Sequence, residues 1–92
     1  MSVTEDNHNL TLDGRPVRVV GRTGQVRATW QLLEGDVVLA EQEVLTGSVD
    51  LVGTLSTGTE VTATIEQSVV GPTRVTVRSG DETVGTFTGF VA

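Results

Sequence analysis

The stretch GQVRATWQLLEGDVVLAEQEVL, residues 24–45, decides the fold. Val26, Ala28, Trp30 and Leu32 alternate with Gln25, Arg27, Thr29 and Gln31, which is the period of a strand with one face buried. Glu34-Gly35-Asp36 supplies a turn, and Val37–Leu45 returns as the second strand of a hairpin. With Leu33 set opposite Val37, Thr29 faces Glu41 and Arg27 faces Glu43, so that cation and carboxylate meet across the strands on one face. Trp30 turns the other way, toward Ala28, Leu32, Val38, Ala40 and Val44. Residues Leu32–Glu43 come nearest to a helical period, but Gly35 and the Val37-Val38 pair oppose a helix there.

Working outward toward the N-terminus, His8–Leu12, Asp13-Gly14 and Arg15–Val20 read as another hairpin. Asp-Gly is a strong two-residue turn signal because both positions tolerate positive φ. Pro16 has no amide to donate, so it belongs at an edge or at the start of its strand. Residues 1–7 are expected to be a flexible polar segment, and residues 8–92 a single all-β domain.

Toward the C-terminus, Val49–Leu55 forms a shorter strand in which Gly53 marks a bulge or tight bend. Glu60–Val69 alternates cleanly, with Val61, Ala63, Ile65, Gln67 and Val69 on one side. Gly71-Pro72 ends it. Thr73–Ser79 then directs Val75 and Val77 inward, and the expected register sets Glu66 across from Arg78. In Thr83–Ala92, Phe87 and Phe90 fall on opposite faces unless a bulge near Gly89 brings them together. The segments VRATW (26–30) and VTATI (61–65) hint at a duplication of three-strand units, 24–55 and 59–90.

The resulting expectation is about eight short antiparallel strands with little or no helix, as a β-sandwich or a small closed β-barrel. Only two phenylalanines and one tryptophan are present, so valine and leucine must fill the centre. That favours a packed interior over a roomy cup.

Composition excludes several kinds of chemistry. There is no cysteine, hence no disulfide and no thiolate metal site. His8 is the only histidine, and Glu34-Gly35-Asp36 lacks the oxygen ligands of a calcium loop. No metal and no cofactor are expected. The net charge of −6 opposes binding to nucleic acid or to an anionic membrane. Its distribution is uneven. Arg15, Arg18, Arg22 and Arg27 lie in a stretch without acids, whereas Glu34 to Glu66 holds seven acids and no base. The opening residues are acidic and polar rather than basic and then apolar, which leads to the expectation of a cytoplasmic protein.

Catalytic motifs are missing too. No serine lies in a G-x-S-x-G context, and no helix follows Gly21-Arg22-Thr23-Gly24 to make a phosphate loop. His8 has no nucleophile in view. Glu41 and Glu43 share a face with Arg27 opposite, and on an exposed strand they serve as surface pairs rather than as an acid–base couple. The same role is expected of Glu66 and Arg78.

Trp30 reads first as a core side chain whose indole N–H finds a polar partner. Two functions follow as expectations. The first is a small non-catalytic interaction or structural module acting through a sheet face or edge, with a protein partner or a second copy adding a strand. The alternative is a barrel that binds, and by extension cyclises or isomerises, an apolar small molecule in a cavity lined by Trp30, Phe87 and Phe90.

Overall fold

The alternation seen in residues 24–45 repeats along the whole chain, and the computed structural model turns each repeat into a strand. It describes residues 4–23, 28–44, 47–67 and 72–91, with side chains for 7–22, 28–44, 47–67 and 73–88. The strands are β1 (Thr4–Leu12), β2 (Arg15–Thr23), β3 (Ala28–Glu34), β4 (Val37–Val44), β5 (Gly47–Thr54), β6 (Glu60–Gln67), β7 (Pro72–Ser79) and β8 (Glu82–Val91). No helix occurs among the described residues.

The strands form two four-stranded antiparallel sheets, β1-β2-β3-β4 and β5-β6-β7-β8. Each sheet is a plain meander. β4 lies beside β5, and β1 beside β8. The chain therefore follows an up-and-down path whose ladder is broken at two seams, and the sheets face one another as a sandwich rather than closing into a barrel. The division falls between β4 and β5, so the units 24–55 and 59–90 do not coincide with the two sheets.

Among the described residues, the turns of the β1/β2, β3/β4, β5/β6 and β7/β8 hairpins lie at one end. At the first of them Asp13 and Gly14 have φ of 54° and 71°, the pair of positive values that a tight two-residue turn needs. Leu12 pairs with Arg15 across it.

Between the sheets lie Val17, Val19, Trp30 and Leu32 from the first, and Leu51, Val61, Ala63, Ile65, Val75 and Val77 from the second. All of these are fully buried. The accessible surface is 5190 Å², against about 5,100 Å² for a compact monomer of this mass.

The central hairpin has a different register from the expected one. Its turn is Gly35-Asp36 alone, with Glu34 opposite Val37 and Leu33 opposite Val38. Glu34 stays in the strand because its carboxylate is held from two sides, by Arg15 and by Ser56. A bulge at Leu39 then adds one more residue to β4, so that Leu32 faces Ala40, Gln31 faces Glu41 and Thr29 faces Glu43.

Together the turn and the bulge slip the strands by two residues, an even number, so beyond the bulge each side chain keeps its expected face. Val37 and Val38 precede the bulge and are the exceptions: Val38 stands outward, 49% exposed, instead of beside Trp30, and Val37 lies opposite the inward Glu34 instead of Leu33. Glu66 likewise faces Arg74 rather than Arg78, which pairs with Thr62.

Gly53 makes no bulge, since β5 pairs with β6 residue for residue from Gly47↔Gln67 to Thr54↔Glu60. It is there for clearance. A Cβ at Gly53 would stand 2.7 Å from the Leu39 Cβ across the β4/β5 seam. β8 is the irregular strand. Val84 is an extra residue between the partners of Val77 and Arg78, and a second shift falls between Thr88 and Val91, near the position of the bulge that was one alternative for this strand. The side chain of Phe90 lies outside the described residues.

Candidate functional site: aromatic stack, turn-end clasp and sheet edges

The sequence candidates are best placed by starting from Trp30. Gly21 is its direct partner on β2, and the six-membered ring lies over that glycine, with Cη2, Cζ2 and Cζ3 each 2.6 Å from where a Cβ would stand. The ring thus extends across β2 toward His8 on β1, whose imidazole is near-parallel to it at 6.5 Å. His8 also stacks on Phe87 of β8 at 4.9 Å. The indole Nε1–H donates to Gln67 Oε1 on β6 at 3.1 Å.

Trp30 and Phe87 are therefore linked through His8 into one aromatic group. It joins the sheets at the β1/β8 seam and ties β3 to β6. Trp30 has no exposed surface. His8 was legible as part of this layer, since it alternates with Leu10 and Leu12, both packed against the core.

At the turn end a second set of contacts clasps the sheets together. Glu34 is 6% exposed and points inward opposite Val17. Its Oε2 accepts hydrogen bonds from Arg15 Nε at 2.7 Å and from Ser56 Oγ at 2.5 Å, while Oε1 accepts from the Ser56 amide at 2.8 Å. The Ser56 hydroxyl, and after it the Arg15 guanidinium, hold this carboxyl below the usual glutamate range. Nearby, Asp13 Oδ2 accepts from the hydroxyls of Thr57 and Thr59 in the loop between β5 and β6. Both carboxylates reach from the first sheet to that loop, and with Arg15 holding Glu34 the set has the character of a structural clasp.

The outward carboxylates are dispersed. Glu41 accepts from Gln31 Nε2 at 2.6 Å, Glu43 faces Thr29, and Glu66 lies a sheet away on β6. A groove of about 380 Å³, open to solvent, is lined by Thr29, Glu41, Gln42 and Glu43. It is polar and shares no lining residue with the aromatic stack. Arg27 lies outside the described residues. Arg78 Nη2 donates to Thr64 Oγ1 at 3.3 Å, and Thr64 Oγ1 donates to Asp50 Oδ1 at 2.8 Å. No group of three or more metal-binding side chains occurs among the described residues, and no helix there is long and apolar enough to cross a membrane.

The strand edges without a ladder partner are those of β1, β4, β5 and β8, and the four differ. β4 carries the Leu39 bulge and the acids Glu41 and Glu43. β8 has two register irregularities. β1 contains Glu5 and Asp6. Charges and bulges of this kind are what keep a sheet edge from accepting another strand. β5 has the least of it. Its ladder is regular over eight residues, it carries the single charge Asp50, and it shows Val52 at 53% exposure. Val37 and Val38 of the neighbouring β4 are 62% and 49% exposed.

The chain matches no family model, no curated protein and no solved structure.

Proposed function

We propose that this domain is a non-catalytic interaction module whose working surface is the free edge of β5. The observation that carries this reading is the regular ladder edge of β5 with its single charge, where the other three edges are bulged or acidic. Backbone groups on such an edge form a template for an added strand, and exposed side chains beside it supply selectivity. The clasped turn end and the aromatic stack serve as the rigid scaffold behind it. The apolar-pocket alternative has less to draw on, because Trp30 is fully buried and the groove at Thr29, Glu41, Gln42 and Glu43 is polar.

If Asp50 is the one charge that keeps β5 from pairing, removing it should release the edge. The Asp50→Val variant is expected to self-associate across a concentration series in sedimentation velocity, and adding Val52→Lys is expected to return it to monomer. Glu41→Val on the bulged β4 edge is the control and should stay monomeric. An Asp50→Val protein that remains monomeric, or a Glu41→Val protein that associates equally, would overturn the reading.

A further inference from the structure

Resting on that reading of β5, we propose that the strand it accepts is an extended segment of another protein in which cationic residues alternate with aliphatic ones. Three features of the edge define this partner. A strand added to β5 prolongs the second sheet over β4, where Leu39 and Ala40 are half-buried and Val37 is exposed. Its inward side chains therefore meet apolar surface and are best aliphatic. Its outward side chains stand beside Ser48, Asp50, Val52 and Thr54, because alternate residues of β5 face that way.

On β5 and β6 the charges of that outward side are of one sign. Glu66 lies opposite Ser48, Asp50 opposite Thr64, and Glu60 opposite Thr54. Asp50 takes its hydrogen bond from the neutral Thr64 hydroxyl. Between Glu34 and Glu66 the chain contains no basic residue at all, so β4, β5 and β6 bring none to this edge. The cations behind it are on β7: Arg74 pairs with Glu66, and Arg78 donates to the Thr64 hydroxyl, both two strands away from the edge. Outward arginines or lysines on the incoming strand are thus complementary, with an aliphatic residue beside Val52.

The same charges argue against a second copy of this chain. An antiparallel two-fold pairing of β5 centred on Leu51 sets each Asp50 across from Val52 of the other copy, with the two Asp50 carboxylates diagonal neighbours on one face and no cation on either β5. Like charges across a ladder destabilise the pairing. The wild-type protein is monomeric on this account.

The probes are three nine-residue peptides with blocked ends: alternating valine and arginine, alternating valine and glutamate, and a block peptide of the first composition with its arginines grouped. Each is titrated into the isotopically labelled domain at near-physiological salt, and amide shifts are followed by NMR. The alternating cationic peptide is expected to bind about tenfold more tightly than either of the others, with shifts concentrated in Gly47–Thr54. Val52→Lys should weaken it, and Asp50→Asn should erase the preference over the acidic peptide, with both variants unfolding at the wild-type temperature.

Equal binding of cationic and acidic alternating peptides at β5 overturns the partner assignment and leaves the edge reading standing. Equal binding by the block peptide, or shifts centred on Glu41 and Glu43, means charge attraction without strand addition and also overturns it. A concentration-dependent dimer of the wild-type chain would replace the partner with a second copy. Failure of all three peptides, together with a monomeric Asp50→Val protein, removes both readings.

Discussion

Replacing Gly21 by alanine puts a methyl group where the Trp30 ring now lies. Three ring atoms stand 2.6 Å from that position, whereas carbon atoms at rest sit about 3.5–4.0 Å apart. The ring must lift by roughly 1 Å. It has little room to do so, since its Nε1–H is bonded to Gln67 at 3.1 Å and His8 is stacked beside it.

Overpacking of this kind costs about 1–3 kcal/mol, and stretching a buried hydrogen bond beyond useful length costs about 1–3 kcal/mol more. Alanine returns about 0.5–1 kcal/mol through a less flexible backbone. The net expectation is a loss of about 2–4 kcal/mol, from a total of about 5–14 kcal/mol for a chain of this length. In thermal unfolding that is roughly 10–30 °C.

Urea unfolding followed by far-UV circular dichroism measures it, with an unchanged slope showing that the unfolded state is the same. In a Trp30→Leu background the ring is gone, and the cost of Gly21→Ala should largely vanish. A Gly21→Ala protein within about 0.5 kcal/mol of wild type, or a cost that persists without Trp30, would refute this packing.

Other expectations follow from particular side chains. Thr73 is fully buried and its hydroxyl has no hydrogen-bond partner among the described residues, so Thr73→Val should stabilise the domain by about 1 kcal/mol in the same urea assay. At the β4/β5 seam, Gly53→Ala should cost about 1–3 kcal/mol because the new methyl meets the Leu39 Cβ, and pairing it with Leu39→Ala should recover part of that loss.

The Glu34 carboxyl is held below its ordinary pKa in the folded state. Its contribution is therefore complete above the unfolded value and disappears as pH falls through the folded one. The stability gap between wild type and Glu34→Gln should accordingly be widest near neutral pH and shrink on acidification. Curves that stay parallel down to strongly acidic pH would remove the clasp from the account.

Strand alternation made most of this structure readable from the chain. All eight strands, the Asp13-Gly14 turn and the inward set Val61, Ala63, Ile65 and Gln67 follow from a period of two and from turn chemistry. Register did not. Whether Glu34 belongs to the turn or to the strand depends on Arg15 and Ser56, which are 19 and 22 residues away in sequence, and no local pattern announces those partners. The Leu39 bulge is equally silent, since an added residue leaves the composition of a strand unchanged.

The placement of Glu66 opposite Arg74 failed to show for the same reason: strand pairing depends on the length of the connection as well as on the faces. The division into two sheets was legible only as an alternative to a barrel, because it rests on side chains meeting at the seams, Leu39 on Gly53 and His8 on Phe87. The candidate site is an edge, and edges are defined by what does not pair, which a linear pattern does not record.

Amide hydrogen exchange along β5 in the native monomer tests the central claim most directly. In an antiparallel edge strand, alternate amides point to the neighbour and alternate ones point away. The account requires an alternating pattern from Gly47 to Thr54, with the amides bonded to β6 protected and those between them exchanging as fast as exposed backbone. Uniform protection along β5 would mean that its outer side is already covered, by β4 or by another chain, and would contradict the open edge on which the proposed function stands.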